Sequence, residues 1–78
     1  MKAAAFRKML KAEPFAPFLV KTTDGDTVRI PHPDFAIVSP VDTEVIVYDK
    51  DGHFHIVAMG HIVLLEPARN GSRKPGKR

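Results

Sequence analysis

The chain has 78 residues, no cysteine and a formal net charge of +3. A chain of that length holds one domain, which buries only about 60% of its unfolded surface. The lack of cysteine excludes disulfides and cysteine-based zinc sites and points to a reducing, cytoplasmic setting. The longest apolar runs, such as residues 62–65, fall far short of the roughly 20 residues a membrane helix needs, and no membrane partner is expected. Arg7, Lys8 and Lys11 interrupt the apolar residues near the start, which argues against a secretory signal.

The positive charge is not spread evenly. Residues 69–78 carry Arg69, Arg73, Lys74, Lys77 and Arg78 without an acid. Residues 14–68 set Lys21, Arg29 and Lys50 against Asp24, Asp26, Asp34, Asp42, Glu44, Asp49, Asp51 and Glu66, a net −5. Any surface that attracts phosphate therefore has to be built from the two basic ends, because the middle lacks the charge for counterion release.

In chain order, Phe6, Met9 and Leu10 fall at i, i+3 and i+4 with Arg7, Lys8 and Lys11 pointing elsewhere, the pattern of an amphipathic helix of about three turns. Pro14 ends it and Pro17 keeps the link extended. Phe15 and Phe18 bracket that link and are expected to pin the helix onto a sheet as core.

From Phe18 the apolar period becomes two, and Asp24-Gly25 separates Phe18–Thr22 from Val28–Ile30 as a hairpin. Parity selects the turn. A two-residue turn sets Val20 against Arg29, whereas a three-residue turn with Gly25 in a left-handed bulge pairs Val20 with Val28 and Phe18 with Ile30, keeping one face apolar.

Pro31 and Pro33 flank His32 and interrupt the ladder. A short strand follows at Phe35–Val38. The succession Val45-Ile46-Val47-Tyr48 within residues 43–49 reads as a strand buried on both faces. Asp51-Gly52 turns it into a strand over residues 54–59, where parity does not choose the turn. Gly60 breaks that strand, and Ile62–Glu66 forms a last one closed by Pro67. Tyr48 and Phe54 are expected in the core rather than stacked on bases. Residues 69–78 bury nothing and are expected to be a disordered basic tail.

Chemistry is sparse. The only serines are Ser39, beside Pro40, and Ser72, so a nucleophile–base–orienter set is missing and no enzyme is expected. His32 with Asp34 reads as turn chemistry. His53 and His55 share a strand face, a spacing that can grip a metal given further ligands such as His61, His32 or Asp34, but solvent-facing polar residues account for them as well. No metal or cofactor is assigned.

Helix, bent hairpin, second hairpin, one-residue break and terminal strand predict a mainly β domain over residues 1–68. The order resembles the Sm-like fold, in which a helix precedes five strongly bent strands and a tight turn separates the last two. The residues that carry the resemblance are Phe18–Ile30 with its Asp-Gly turn, and Ile56, Val57, Met59, Ile62, Val63 and Leu65 in the closing strands. At the places of the family's RNA loops stand His32-Pro33-Asp34-Phe35, without its asparagine, and Met59-Gly60-His61, without its arginine. The chain is also similar to short uncharacterised bacterial proteins through Pro14-Phe15-x-Pro17-Phe18, Asp24-Gly25, His32-Pro33-Asp34-Phe35 and residues 48–57.

The Sm-like resemblance implies a small closed five-stranded Sm-like or SH3-like barrel and a homo-oligomer joined through Ile56, Ile62, Val63 and Leu65. It also implies RNA as a partner, touched by Arg7, Lys8, Lys11, His32, His61, Arg69, Arg73 and Lys74. The alternative is a protein-interaction or structural module of the same build with no nucleic-acid ligand. Charge alone does not separate a tail that contacts RNA or DNA from one that only confers solubility.

Overall fold

The structure, a computed structural model, describes residues 1–68; the expected tail, with Arg69, Arg73 and Lys74, lies outside the described residues. Helix α1 spans Ala3–Leu10 and is shorter than the three turns expected, since Lys11 already leaves helical geometry as the C-cap while its N–H donates to the Arg7 carbonyl at 3.0 Å. An isolated helix of this length is unstable in water, so packing must hold it. Ala3 and Phe6 are buried. The Phe6 ring meets Phe18 edge-on with centroids 5.6 Å apart, and Phe15 tilts against Phe18 at 6.1 Å, which is the pinning expected of this aromatic pair.

Six strands follow: β1 Phe18–Thr22, β2 Thr27–Ile30, β3 Ala36–Val38, β4 Glu44–Tyr48, β5 Phe54–Ala58 and β6 Ile62–Pro67. They form two antiparallel three-stranded sheets, ordered β2-β1-β6 and β3-β4-β5. The closed five-stranded barrel is therefore not formed among the described residues. The proline pair gives the physical reason for the split. Pro31 and Pro33 cannot donate to a ladder, and His32 Nδ1 accepts the Asp34 N–H at 3.2 Å. The chain thereby turns through a 3-10 segment, Pro33–Phe35, and joins the second sheet at Ala36.

The register of the first hairpin is Phe18 with Ile30 and Val20 with Val28, as the parity argument requires. Thr22 N–H donates to the Asp26 carbonyl at 3.0 Å, and Gly25 has φ of 88°. The second hairpin repeats the device: Asp49 N–H donates to the His53 carbonyl at 2.9 Å and Gly52 has φ of 86°. A Cβ at Gly25 would meet nothing within 4 Å, so its replacement costs only the left-handed backbone. Gly25→Ala is expected to lower stability by about 1 kcal/mol in urea denaturation; an unchanged midpoint would contradict the bulged turn.

One core lies between the sheets beneath the helix. Phe6, Phe18, Val20, Ile30, Val45, Val47 and Ile62 are fully buried, with Ala3, Ala36 and Met59 beside them. β4 is not buried on both faces as its four apolar residues suggested: Val45 and Val47 are buried, while Glu44, Ile46 and Tyr48 are half-buried. A second layer on that outer side is lacking among the described residues. No described helix is long and apolar enough to cross a membrane.

Candidate functional site

Strand parity places the apolar residues left outside the core on one surface. Across the second sheet, Ile37 pairs with Ile46 and Ile46 with Ile56, while Tyr48 pairs with Phe54. Paired residues of an antiparallel ladder share a face, and this face points away from Val45 and Val47. Ile37, Phe54 and Ile56 are 53%, 59% and 65% exposed. The Tyr48 and Phe54 rings lie 6.1 Å apart, tilted by 51°. Phe54 is thus an exposed surface residue and not the core residue that its sequence pattern suggested.

This face ends on the edge strand β5; β6 is an edge of the other sheet, and β2 and β3 are the two remaining edges. Only the 3-10 turn Met59–His61 separates the two strands in the chain. Of the four residues expected at an oligomer interface, Ile56 and Val63 are exposed, Leu65 is half-buried and Ile62 is buried. The register explains the difference. Val20 pairs with Leu65 and Thr22 with Ile62, turning both inward, whereas Val63 falls in the irregularity between Lys21 and Thr22 and faces out. On β6 the charge comes only near its end, where Glu66 Oε1 meets Lys21 Nζ of β1 at 3.0 Å.

Among the described residues, Arg7, His32 and His61, expected to touch RNA, make separate structural contacts. Arg7 is already engaged: its guanidinium pairs with the Asp42 carboxylate and donates to the Ser39 carbonyl at 3.0 Å. It thereby holds the helix to the β3–β4 turn, in which Asp42 has φ of 65°. Lys8, on the helix, and Lys11, its C-cap, are exposed. His32 caps its own 3-10 turn. His61 Nδ1 lies 3.1 Å from Thr23 Oγ1, and its carbonyl accepts the Thr23 N–H at 2.8 Å, fastening the break before β6 to the first hairpin. Ser39 Oγ accepts the Val41 N–H at 3.1 Å.

Where the sheets part, between β2 and β5, two adjoining hollows of about 450 and 440 Å³ share Thr27, Val28 and His55. Val28 and Val57 form apolar floor at the margin of the core. Asp24, Asp26 and His61 border one end, and Asp49 with Lys50 the other. Arg29 also lines the groove, and three carboxylates against Arg29 and Lys50 leave it no net attraction for phosphate.

Asp49 organises the second turn. Its Oδ1 accepts the N–H groups of Asp51 and His53 at 2.9 and 3.0 Å, and its Oδ2 lies 3.4 Å from His55 Nε2. Desolvation raises the Asp49 carboxyl, but the two backbone donors and the imidazoles of His55 and His53 together outweigh it and hold the carboxyl below its ordinary value. A folded-state carboxyl that is depressed stabilises above its unfolded pKa of about 3.9, and that contribution fades as pH falls through the folded value. Thermal stability is therefore expected to drop below about pH 4. Asp49→Asn should flatten that acid limb; an unaltered acid profile in scanning calorimetry would contradict this role.

Sequence reasoning missed the Ile37–Ile46–Ile56 face and the anchoring role of Arg7. The face was readable from the alternation of Val45 and Val47 with Ile46 and Tyr48. The Arg7 contact spans 35 residues and left no local signal. Comparisons with protein-family models, with curated proteins and with solved structures return no match.

Proposed function

We propose that this chain is a small non-catalytic β module that associates with copies of itself, edge to edge, in an Sm-like manner. The observation that carries the reading is the pair of free edges, β5 and β6, flanked by exposed Ile56 and Val63. Monomeric proteins protect such edges with charge, proline or cover. Here Phe54–Ala58 contains no Lys, Arg, Asp, Glu or Pro, and β6 reaches Glu66 and Pro67 only at its end. In Sm-like assemblies the last strand of one subunit pairs with the preceding strand of the next, and such a head-to-tail contact closes into a ring when its rotation permits.

The element order supports the same reading. If β2 and β3 count as one strand bent at Pro31 and Pro33, the chain runs as a helix and five bent strands, with the tight turn Met59–His61 before the last. On this reading the groove between the sheets and the isoleucine face are surfaces of a subunit. Non-catalytic function fits the hydroxyl of Ser39, which is spent inside its turn, and the separation of His32 and His61 into different structural contacts.

Hydrogen exchange tests the pairing itself. Amides on the outer edges of β5 and β6 are expected to become protected as protein concentration rises, while those of β2 stay unchanged. Protection independent of concentration would overturn the edge contact.

RNA contact is a second reading, favoured by exposed Lys8 and Lys11 together with the five basic residues at 69–78. It places binding at the chain ends and not at the acidic groove. An absorbance ratio showing co-purified nucleic acid would support it, and protein free of nucleic acid at low salt would favour a module that contacts only protein.

A further inference from the structure

We propose that the tip of the β4–β5 hairpin binds a divalent transition-metal ion of the zinc class through Asp49, Asp51, His53 and His55. The inference is independent of self-association. Donors around a tetrahedral ion with bonds of about 2.0–2.1 Å lie roughly 3.3–3.4 Å apart. Asp49 Oδ2 is 3.4 Å from His55 Nε2 and 3.8 Å from His53 Nδ1, close to that spacing without an ion to draw the groups together. Ligand atoms of Asp49, Asp51 and His53 also lie within 4.8 Å of one another.

The set is more than a cluster of acids. Two imidazole nitrogens stand beside two carboxylates, and mixed nitrogen and oxygen donors favour zinc-class ions over calcium or magnesium, which take oxygen. Asp49 is pre-oriented because its Oδ1 is occupied by two backbone N–H groups, leaving Oδ2 aimed at both imidazoles. His55 lies in β5 and His53 just before it, and Asp49 Oδ2 reaches a ring nitrogen of each. All four donors come from residues 49–55; His55 meets Asp49 but lies outside the group of Asp49, Asp51 and His53, so its exposed ring has to turn toward the ion. The side chains of His53 and His55 are 77% and 57% exposed, which leaves the ion free access.

Full-length protein stripped with a chelator is titrated with zinc chloride, followed by calorimetry and by nitrogen NMR of the imidazoles, with magnesium chloride in parallel. The expected result is one zinc ion per chain, movement of the His53 and His55 ring signals, and no response to magnesium. His53→Ala and His55→Ala should each weaken zinc binding about tenfold or more, since even changes to groups behind the ligands reach that size. His32→Ala should leave it unchanged. Circular dichroism confirms folding of each variant, whose replaced side chains are exposed. Absence of saturable zinc binding, or zinc binding that survives in the His53→Ala/His55→Ala double variant, would overturn the proposal.

Discussion

Phe18→Ala is expected to cost about 3–5 kcal/mol, the largest loss of any single truncation in this domain. Phe18 is fully buried, receives the edge of Phe6 and the tilted ring of Phe15, and pairs with both Ile30 and Pro67. Its removal opens a cavity where the helix, the link and the first sheet meet, and β1 cannot move to fill it without breaking its ladders to β2 and β6. Domain stabilities run at about 5–15 kcal/mol, and small ones lie at the low end. The variant should therefore be largely unfolded at physiological temperature. Urea denaturation measures the effect, and a loss below about 1.5 kcal/mol, the size of a mild volume-conserving change, would contradict the central place given to this ring.

The second large effect is on assembly. Ile56→Lys with Val63→Lys puts a charge on each of the edges β5 and β6, at side chains that are 65% and 59% exposed, so the fold of one chain should be preserved. A lysine on an edge strand is the device by which natural sheets avoid pairing. In an interface closed by β5 and β6 it would have to be buried without a partner, at a cost of several kcal/mol. The double variant is expected to sediment as a monomer with an unchanged circular dichroism spectrum. Ile37→Lys, on the same face but on the strand farthest from β5, separates edge pairing from face packing: it should leave an edge-paired assembly intact. Dissociation by Ile37→Lys alone would show that the isoleucine face, and not the edges, joins the copies.

Local chemistry was legible in the sequence wherever a single residue type forces geometry. Gly25 could be placed in a left-handed bulge because only that turn keeps Val20 and Val28 on one face, and the register agrees. The prolines at 31 and 33 marked the bend, and Phe15 and Phe18 marked the docking of the helix. Long-range geometry was less legible. Whether the two sheets close into a barrel depends on how far the chain turns at Pro33–Phe35, which no period in the sequence encodes. Ile46 and Phe54 have the composition of core residues, yet Ile46 is only half-buried and Phe54 exposed, because a covering layer beyond β4 and β5 is lacking among the described residues.

The candidate sites divide along the same line. His53 and His55 were visible as a pair at i and i+2, but the role of Asp49 between them arises from the three-residue turn, which parity left undetermined. Arg7 read as a phosphate contact because the helix is basic; its pairing with Asp42 depends on a turn that brings residue 42 under the helix. Ile62 and Val63 are neighbours with similar side chains, yet one lies in the core and the other faces out. The irregularity opposite Lys21 and Thr22 decides between them.

The most direct test of self-association is the mass of the wild-type chain in solution, measured by light scattering across a dilution series from high micromolar concentration. The account predicts a discrete multiple of the 8.7 kDa chain that falls toward the single-chain mass on dilution. A mass of one chain at the highest concentration would contradict it and leave a self-contained β module whose exposed edges serve a different partner.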